Sequence, residues 1–368
     1  MSPLSRRDLV TRGLALGLSW SSLAALLQAC GPATPRASDD PDATLGAVEP
    51  ELHIYTWSDY LAPEVVRDFG ERFHVRVSVD TSESNEEMVA KLAVGGGGYD
   101  VIVPSSYLLP VLTGMGALQV LKRRYLTGLG NVAPTFRDTP NDPGGRYAVP
   151  FAWGTTGIAY RSDLVAAPPT SWGVFEDPAL SGRMTMMDEA REVLGAFLRY
   201  RGHSLNSSVP AELAAARADA LVAKPLLKAY LSAPVKAQLV AGDVWVAQLW
   251  NGDTYQARAE QARSGAGTIA FALPTEGSQL WLDTLAIPAT AAHPRAAHEF
   301  LDYCLRPEVA AANAAFNRYG SPNEAAQRLI TEPIPYPSAA ELARLEYLKD
   351  LGRDAATWDR IWTEVKAS

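Results

Sequence analysis

Apolar and polar positions alternate through Leu52-His53-Ile54-Tyr55-Thr56-Trp57 and again through residues 75–79, whereas Val101-Ile102-Val103 is an unbroken apolar run. The first two patterns predict half-buried strands and the third a fully buried one. Between them, residues 62–73 and 85–94 carry helical spacing, with Pro63 near a helix start, where its missing N–H is tolerated. Strand and helix alternate, which predicts an α/β fold with parallel strands. Ligands of such sheets sit beyond the carboxyl ends of the strands. Trp57-Ser58-Asp59-Tyr60 and Ser105-Ser106-Tyr107 occupy two such ends.

Further along, residues 111–121 read as a helix and 127–145 as a long Pro/Gly-rich loop. Residues 147–160 form an extended segment of little charge, suited to cross from one domain to the next. A short strand at 183–187 leads into a helix to residue 201, with Asp188 as its N-cap and Glu189 and Glu192 as first-turn acids favoured by the helix dipole. Residues 211–223 and 224–239 read as helices, 244–249 as a strand, 255–263 as a helix and 268–273 as a strand. Helices follow at 294–305 and 307–317, then a mainly helical tail. Trp172 reads as a packing residue, and so do Trp358 and Trp362 at i, i+4.

Two stretches break the ordinary core pattern by pairing Trp with Asp: Trp250 with Asp253, and Trp281 with Asp283. In Trp281-Leu282-Asp283 the strand period puts Trp and Asp on one face. A lone carboxylate is costly to bury, so this face is poor core material. It is good material for an organic cation, because a ring face attracts the charge and the carboxylate accepts its N–H bonds.

The formal net charge of −8 sharpens that picture. Arg6, Arg7 and Arg12 against Asp8 give the first 29 residues +2, leaving −10 on the remainder. An acidic body argues against nucleic acid and anionic membrane surfaces as partners. Residues 1–29 read as an export signal of twin-arginine type, with Ser5-Arg6-Arg7-Asp8-Leu9-Val10 preceding a short apolar stretch. It ends in Leu27-Gln28-Ala29-Cys30, which resembles a lipobox with Cys30 as the lipidated residue. Residues 30–50, lipidated Cys30 followed by a Pro/Ala/Asp/Gly-rich run, then form a tether. With Cys30 so used, Cys304 has no disulfide partner and is expected to be a buried helix residue.

Catalytic and cofactor motifs are not evident. The glycine run at 95–98 follows a helix and lacks the Lys-Ser/Thr of a phosphate loop. The five histidines (53, 74, 203, 293, 298) show no metal spacing, and Gly-x-Ser-x-Gly is absent. No cofactor, no metal and no enzymatic activity are therefore expected. Paired carboxylates beside Trp leave a glycoside hydrolase as a remote alternative, but four or five acids converging on one cleft suit a polycation better.

In order along the chain, Tyr55-Thr56-Trp57-Ser58-Asp59-Tyr60, Glu83-Ser84-Asn85-Glu86, Tyr99-Asp100-Val101-Ile102-Val103-Pro104-Ser105, residues 188–193, Trp250-Asn251-Gly252, Trp281-Leu282-Asp283, Leu305-Arg306-Pro307 and Tyr319-Gly320-Ser321-Pro322-Asn323 resemble the bacterial spermidine/putrescine-binding periplasmic proteins. The resemblance covers residues 51–330 well. It implies a two-lobed periplasmic-binding-protein type II fold with the ligand cleft between the lobes. Lobe 1 would take residues 51–150 and 284–322, lobe 2 residues 151–283 and 323–368, with hinges at 147–153 and 282–287. It further implies a periplasmic receptor that delivers a polyamine to the permease of an ABC transporter; the receptor is expected to be monomeric and, through Cys30, membrane-anchored. Trp57, Tyr107, Trp250, Trp281 and Tyr319 would form aromatic walls, Glu189, Glu192, Asp253 and Asp283 the charge partners, and Ser58, Asp59 and Ser105 further acceptors. Ser58 and Asp253 resemble putrescine-preferring members, whereas Tyr107, Trp281 and an acid at 189 resemble the spermidine side. Leu348 falls where the latter carry Gln. A receptor of the same fold for another amine or an amino-acid-derived compound is the alternative; it would need a cationic partner for a ligand carboxylate, and Arg191 is the nearest candidate.

Overall fold

A computed structural model describes residues 40–368 apart from 83, 94, 95, 233, 265, 266 and 333. The expected signal, Cys30, the tether up to residue 39, and Glu83 lie outside the described residues.

Among the described residues, ten strands form one mixed sheet: β1 (Glu51–Trp57), β2 (Arg76–Ser82), β3 (Val101–Ile102), β4 (Ala148–Arg161), β5 (Met184–Met186), β6 (Leu227–Tyr230), β7 (Val246–Trp250), β8 (Ile269–Ala272), β9 (Ser278–Ala286) and β10 (Leu345–Tyr347). Their order is β2-β1-β3-β9-β4-β7-β5-β6, with β10 beside β9 and β8 beside β4. β1, β2 and β3 run parallel, as do β5, β6 and β7. The purely parallel sheet expected from the alternation is interrupted, because β4 and β9 are long enough to belong to both wings and run antiparallel to each other, β4 also to β7 and β8, and β9 also to β3. Ala148 pairs with Ala286 and Thr155 with Leu280, and the register shifts between Pro150 and Ala152.

Helices of seven residues or more flank the wings: α1 (Pro63–Phe73), α2 (Asn85–Ala93), α3 (Ala190–Tyr200), α4 (Pro210–Ala223), α5 (Val235–Ala241), α6 (Asn251–Ser264), α7 (Pro294–Cys304), α8 (Pro307–Asn317) and α9 (Ala355–Ala367). One core gathers Ile54, Phe69, Val101, Leu285 and Phe300. A second gathers Trp172, Met186, Phe197, Val246 and Trp358. Trp172, Trp358 and Trp362 are all buried in this second core, and Cys304 is buried in the first, at the end of α7.

Several expected elements differ. Residues 224–239 do not form one helix: Lys224–Leu226 makes a single short turn with Pro225 near its start, Leu227–Tyr230 adds edge strand β6 beside β5, and α5 begins only at Val235. The helix expected over 111–121 stops at Gly114 because Gly116 takes a left-handed turn, after which Leu118 bridges to Pro288. Asp188 does not cap α3; Glu189 holds that position without a side-chain bond, and Asp188 pairs with Lys366 instead. The tail includes strand β10 as well as helix, since Leu345–Tyr347 pairs along β9. Ahead of it, Tyr336 stacks on Trp153 at 5.3 Å, and Asn323 donates to the Leu305 carbonyl. That part of the tail therefore lies against the first core, and α9 lies in the second.

Candidate ligand cleft

Strand ends and helix starts converge on one cavity of about 280 Å³. Trp57 ends β1, Trp250 ends β7, and Trp281 and Asp283 point from one face of β9. Glu192 lies in the first turn of α3 and Asp253 in the first turn of α6. Each of the twelve residues expected at the site lines this cavity: Trp57, Ser58, Asp59, Ser105, Tyr107, Glu189, Glu192, Trp250, Asp253, Trp281, Asp283 and Tyr319. Leu348 lines it too, at 5 % exposure.

The walls are fixed from behind. The Trp57 indole donates to the Val103 carbonyl at 2.9 Å, and the Trp250 indole reaches Glu192 Oε1 at 3.4 Å. Trp281 and Tyr319 meet edge to face at 4.8 Å between centroids. That approach requires glycine at 252, where an added Cβ would fall 2.2 Å from the Tyr319 ring. Gly154 does the same for Trp281, leaving 2.3 Å between a Cβ and its ring.

The acids are held mainly by neutral donors. Asp283 accepts from the Tyr60 hydroxyl at 2.6 Å and from Ser105 Oγ at 2.7 Å. Ser105 is itself held by Asn85, whose Nδ2 lies 3.2 Å from its Oγ. Tyr319 donates to Asp253 at 2.7 Å. Glu192 accepts from Thr156 Oγ1 at 3.2 Å and, with the Gln279 amide oriented by its hydrogen bonds, from that nitrogen at 3.2 Å on both oxygens. Burial pushes Asp283 up to about 6, against the opposing bonds from Tyr60 and Ser105. Burial likewise pushes Glu192 up to about 7, against bonds from Thr156 and Trp250 and the charge of Arg191. Asp253 is raised for the same reason, with Lys236 opposing. Buried carboxylates with raised pKa values are poised to gain from an incoming cation.

Tyr60, Lys236, Gln279, Asn85, Ser82 and Ser232 also line the cavity and were not expected there. Tyr60 was legible as part of a quoted turn, and Asn85 as part of a quoted motif. Lys236 carried no signal: one cation in an apolar helical run reads as a solvated face. Arg191 is turned behind Tyr107, donating to the Lys349 carbonyl and to Asn206 Oδ1. That leaves it engaged away from the cavity, where a ligand carboxylate would need it.

The structure also brings together two histidines that show no metal spacing in sequence: His53, Asp100 and His293 have donor atoms within 4.8 Å of one another. Asp100 is fully buried, and its oxygens accept the backbone N–H groups of His53 and His293 and lie 2.8 Å from the His293 ring nitrogen. These contacts join β1 to the start of α7.

A cleft of carboxylates and aromatic rings, at the junction of two α/β wings, defines a solute-binding protein. The profile of the bacterial extracellular solute-binding proteins matches residues 64–344. The chain belongs to that family. It is 36 % identical over 330 residues to the putrescine/cadaverine-binding protein of Pseudomonas aeruginosa, covering 86 % of this chain and 93 % of that one. It is 35 % identical over 340 residues to the putrescine/agmatine-binding protein of the same organism, covering 87 % and 93 %. The solved spermidine/putrescine ABC transporter substrate-binding protein PotD of Streptococcus pneumoniae superposes with a TM-score of 0.74 at 29 % identity, over 87 % of this chain and 99 % of that one. The fold is the two-lobed periplasmic-binding-protein type II fold with its cleft between the lobes.

Proposed function

We propose that this chain is the substrate-binding receptor of a polyamine ABC importer and captures a putrescine- or spermidine-like cation in the cleft. One observation carries the reading: Glu192 and Asp283 are buried beside aromatic walls and held mainly by neutral hydrogen-bond donors. Two such acids in the free protein are balanced most simply by a ligand with two or more ammonium groups. Each ammonium must regain its hydrogen bonds on leaving water, and the carboxylates supply them. The relatives named for putrescine, cadaverine and agmatine support the same ligand class.

The twelve expected residues would then act as aromatic walls and charge partners, with Tyr60 and Gln279 orienting the acids. We place residues 51–150 and 284–336 in one lobe and 151–283 with 345–368 in the other, hinged where β4 pairs with β9. The protein binds reversibly without turnover and needs no cofactor. It is exported to the periplasm by the twin-arginine route, held by a lipid on Cys30, and presented as a monomer to a membrane permease.

Calorimetric titration of the body from Val48 onward with putrescine, cadaverine, agmatine and spermidine tests the ligand. One-to-one saturable binding of at least one amine, abolished in Trp250→Ala, is the expected result. Folded, ligand-free protein that binds none of the four overturns the polyamine reading.

A further inference from the structure

One wall of the cleft already carries an ammonium group. Lys236 stands near the start of α5, with its side chain 19 % exposed. Its Nζ lies 2.9 Å from Asp59 Oδ2, 2.9 Å from Gln256 Oε1 and 4.0 Å from Asp253 Oδ1. Asp59 belongs to the turn after β1, where its backbone is left-handed at φ 54°. That conformation is uncommon for a residue other than glycine. Lysine ends in a primary ammonium on four methylenes, which is half of a diamine's chemistry. At this end of the cavity it stands where a ligand ammonium would stand.

We propose that Lys236 is a resident counter-ion that closes the Asp59 end of the cleft and sets the length of amine accepted. The inference rests on the polyamine reading above. With Lys236 in place, Asp59 is engaged and Asp253 is partly neutralised. The buried acids held mainly by neutral donors are then Glu192 and Asp283, which suit the two charges of a short diamine, with Glu189 also on the lining. A triamine whose third ammonium reaches the Asp59 end meets Lys236 there, at a cost in like-charge repulsion. On this reading Lys236 biases the cleft toward a diamine over a triamine.

The test compares Lys236→Met with the wild type and with Lys236→Met/Asp59→Asn by calorimetric titration of putrescine and spermidine. The wild type is expected to bind putrescine more tightly. Lys236→Met is expected to move the ratio of the two dissociation constants at least tenfold toward spermidine, and the added Asp59→Asn to cancel most of that gain. A ratio that stays within twofold in Lys236→Met overturns the proposal. A gain that persists undiminished in the double variant also overturns it, because the freed acid would not be what recruits the third charge. If Lys236 merely latched the lobes together, both amines would change affinity alike. Failure of the receptor reading itself is distinguishable, since the wild type would then bind neither amine.

Discussion

The Tyr60 hydroxyl donates to Asp283 at 2.6 Å across 223 residues of sequence, with both groups buried. Desolvation and the neighbouring carboxylate keep this phenol protonated far above its ordinary range, so it remains a donor at any working pH. Tyr60→Phe leaves Asp283 with Ser105 as its remaining side-chain donor. A hydrogen bond to a charged group contributes about 1.5–3 kcal/mol, so amine affinity should fall roughly tenfold to a hundredfold. Titration calorimetry at neutral pH reads the loss, and an unchanged dissociation constant would remove Tyr60 from the site.

Binding and stability should respond to pH in opposite senses. Glu192 and Asp283 titrate at about 7 and about 6 in the folded chain, above their ordinary range. Between the ordinary and the folded values the native state holds more protons than the unfolded one, so ligand-free stability falls as pH rises through that window. Together the two acids contribute a decline on the order of a few kcal/mol. A bound amine needs both groups ionised, so affinity should rise over the same window with proton release on binding. Thermal melts across that range, with and without putrescine, should show a shift in Tm on ligand addition that grows with pH. A constant shift would contradict the assignment.

Gly252→Ala should damage the cleft from behind. The new methyl would fall 2.2 Å from the Tyr319 ring, whose hydroxyl holds Asp253. Overpacking of this kind typically costs about 1–3 kcal/mol. Amine affinity should drop at least roughly tenfold if Tyr319 is displaced from Asp253. A crystal structure of the variant with Tyr319 unmoved and wild-type affinity would refute this role for the glycine.

Asp100 offers a control remote from the ligand. Asp100→Ala strips acceptors from the backbone N–H groups of both His53 and His293. Leaving two such donors unpaired should destabilise the fold by roughly 2–6 kcal/mol. Denaturant titration reads this directly. Amine affinity, measured where the variant is folded, should stay near the wild-type value; a large loss would tie this clamp to the cleft.

Lipid attachment is testable on the full chain. Wild type expressed with radiolabelled palmitate should carry label and sediment with membranes, whereas Cys30→Ala should do neither. Label retained by the variant would rule out Cys30 as the anchor.

The parts of this molecule that could be read in sequence are those whose cause is local. Strand β1, helices α1 and α8, and the shared face of Trp281 and Asp283 follow from periodicity within a few residues. Segment 224–239 did not read correctly because Leu227–Tyr230 is made a strand by its pairing with β5, a contact some forty residues away. In the cleft, Trp250 with Asp253 and Trp281 with Asp283 stood out as Trp–Asp pairs, whereas the other expected residues were reached through the resemblance of their motifs to the polyamine-binding proteins. Lys236 was invisible. Its meaning comes from Asp59, 177 positions earlier, and nothing around Lys236 signals that meeting. The long strands β4 and β9 were each recognisable as extended, but their antiparallel pairing, which makes the sheet mixed, is a tertiary fact.

Asp283 pairs in register with Ala152 beside the irregularity at Pro150, so it is a rung of the ladder as well as a wall of the cavity. On the hinge and ligand site proposed above, fulcrum and sensor would be one strand. A charge arriving at Asp283 would then pull on the very pivot about which the lobes would swing, with no intervening linkage to tune. Substitutions that stiffen or loosen this ladder would alter how tightly the amine is held and how far the jaws travel together, so the two properties should be hard to evolve apart.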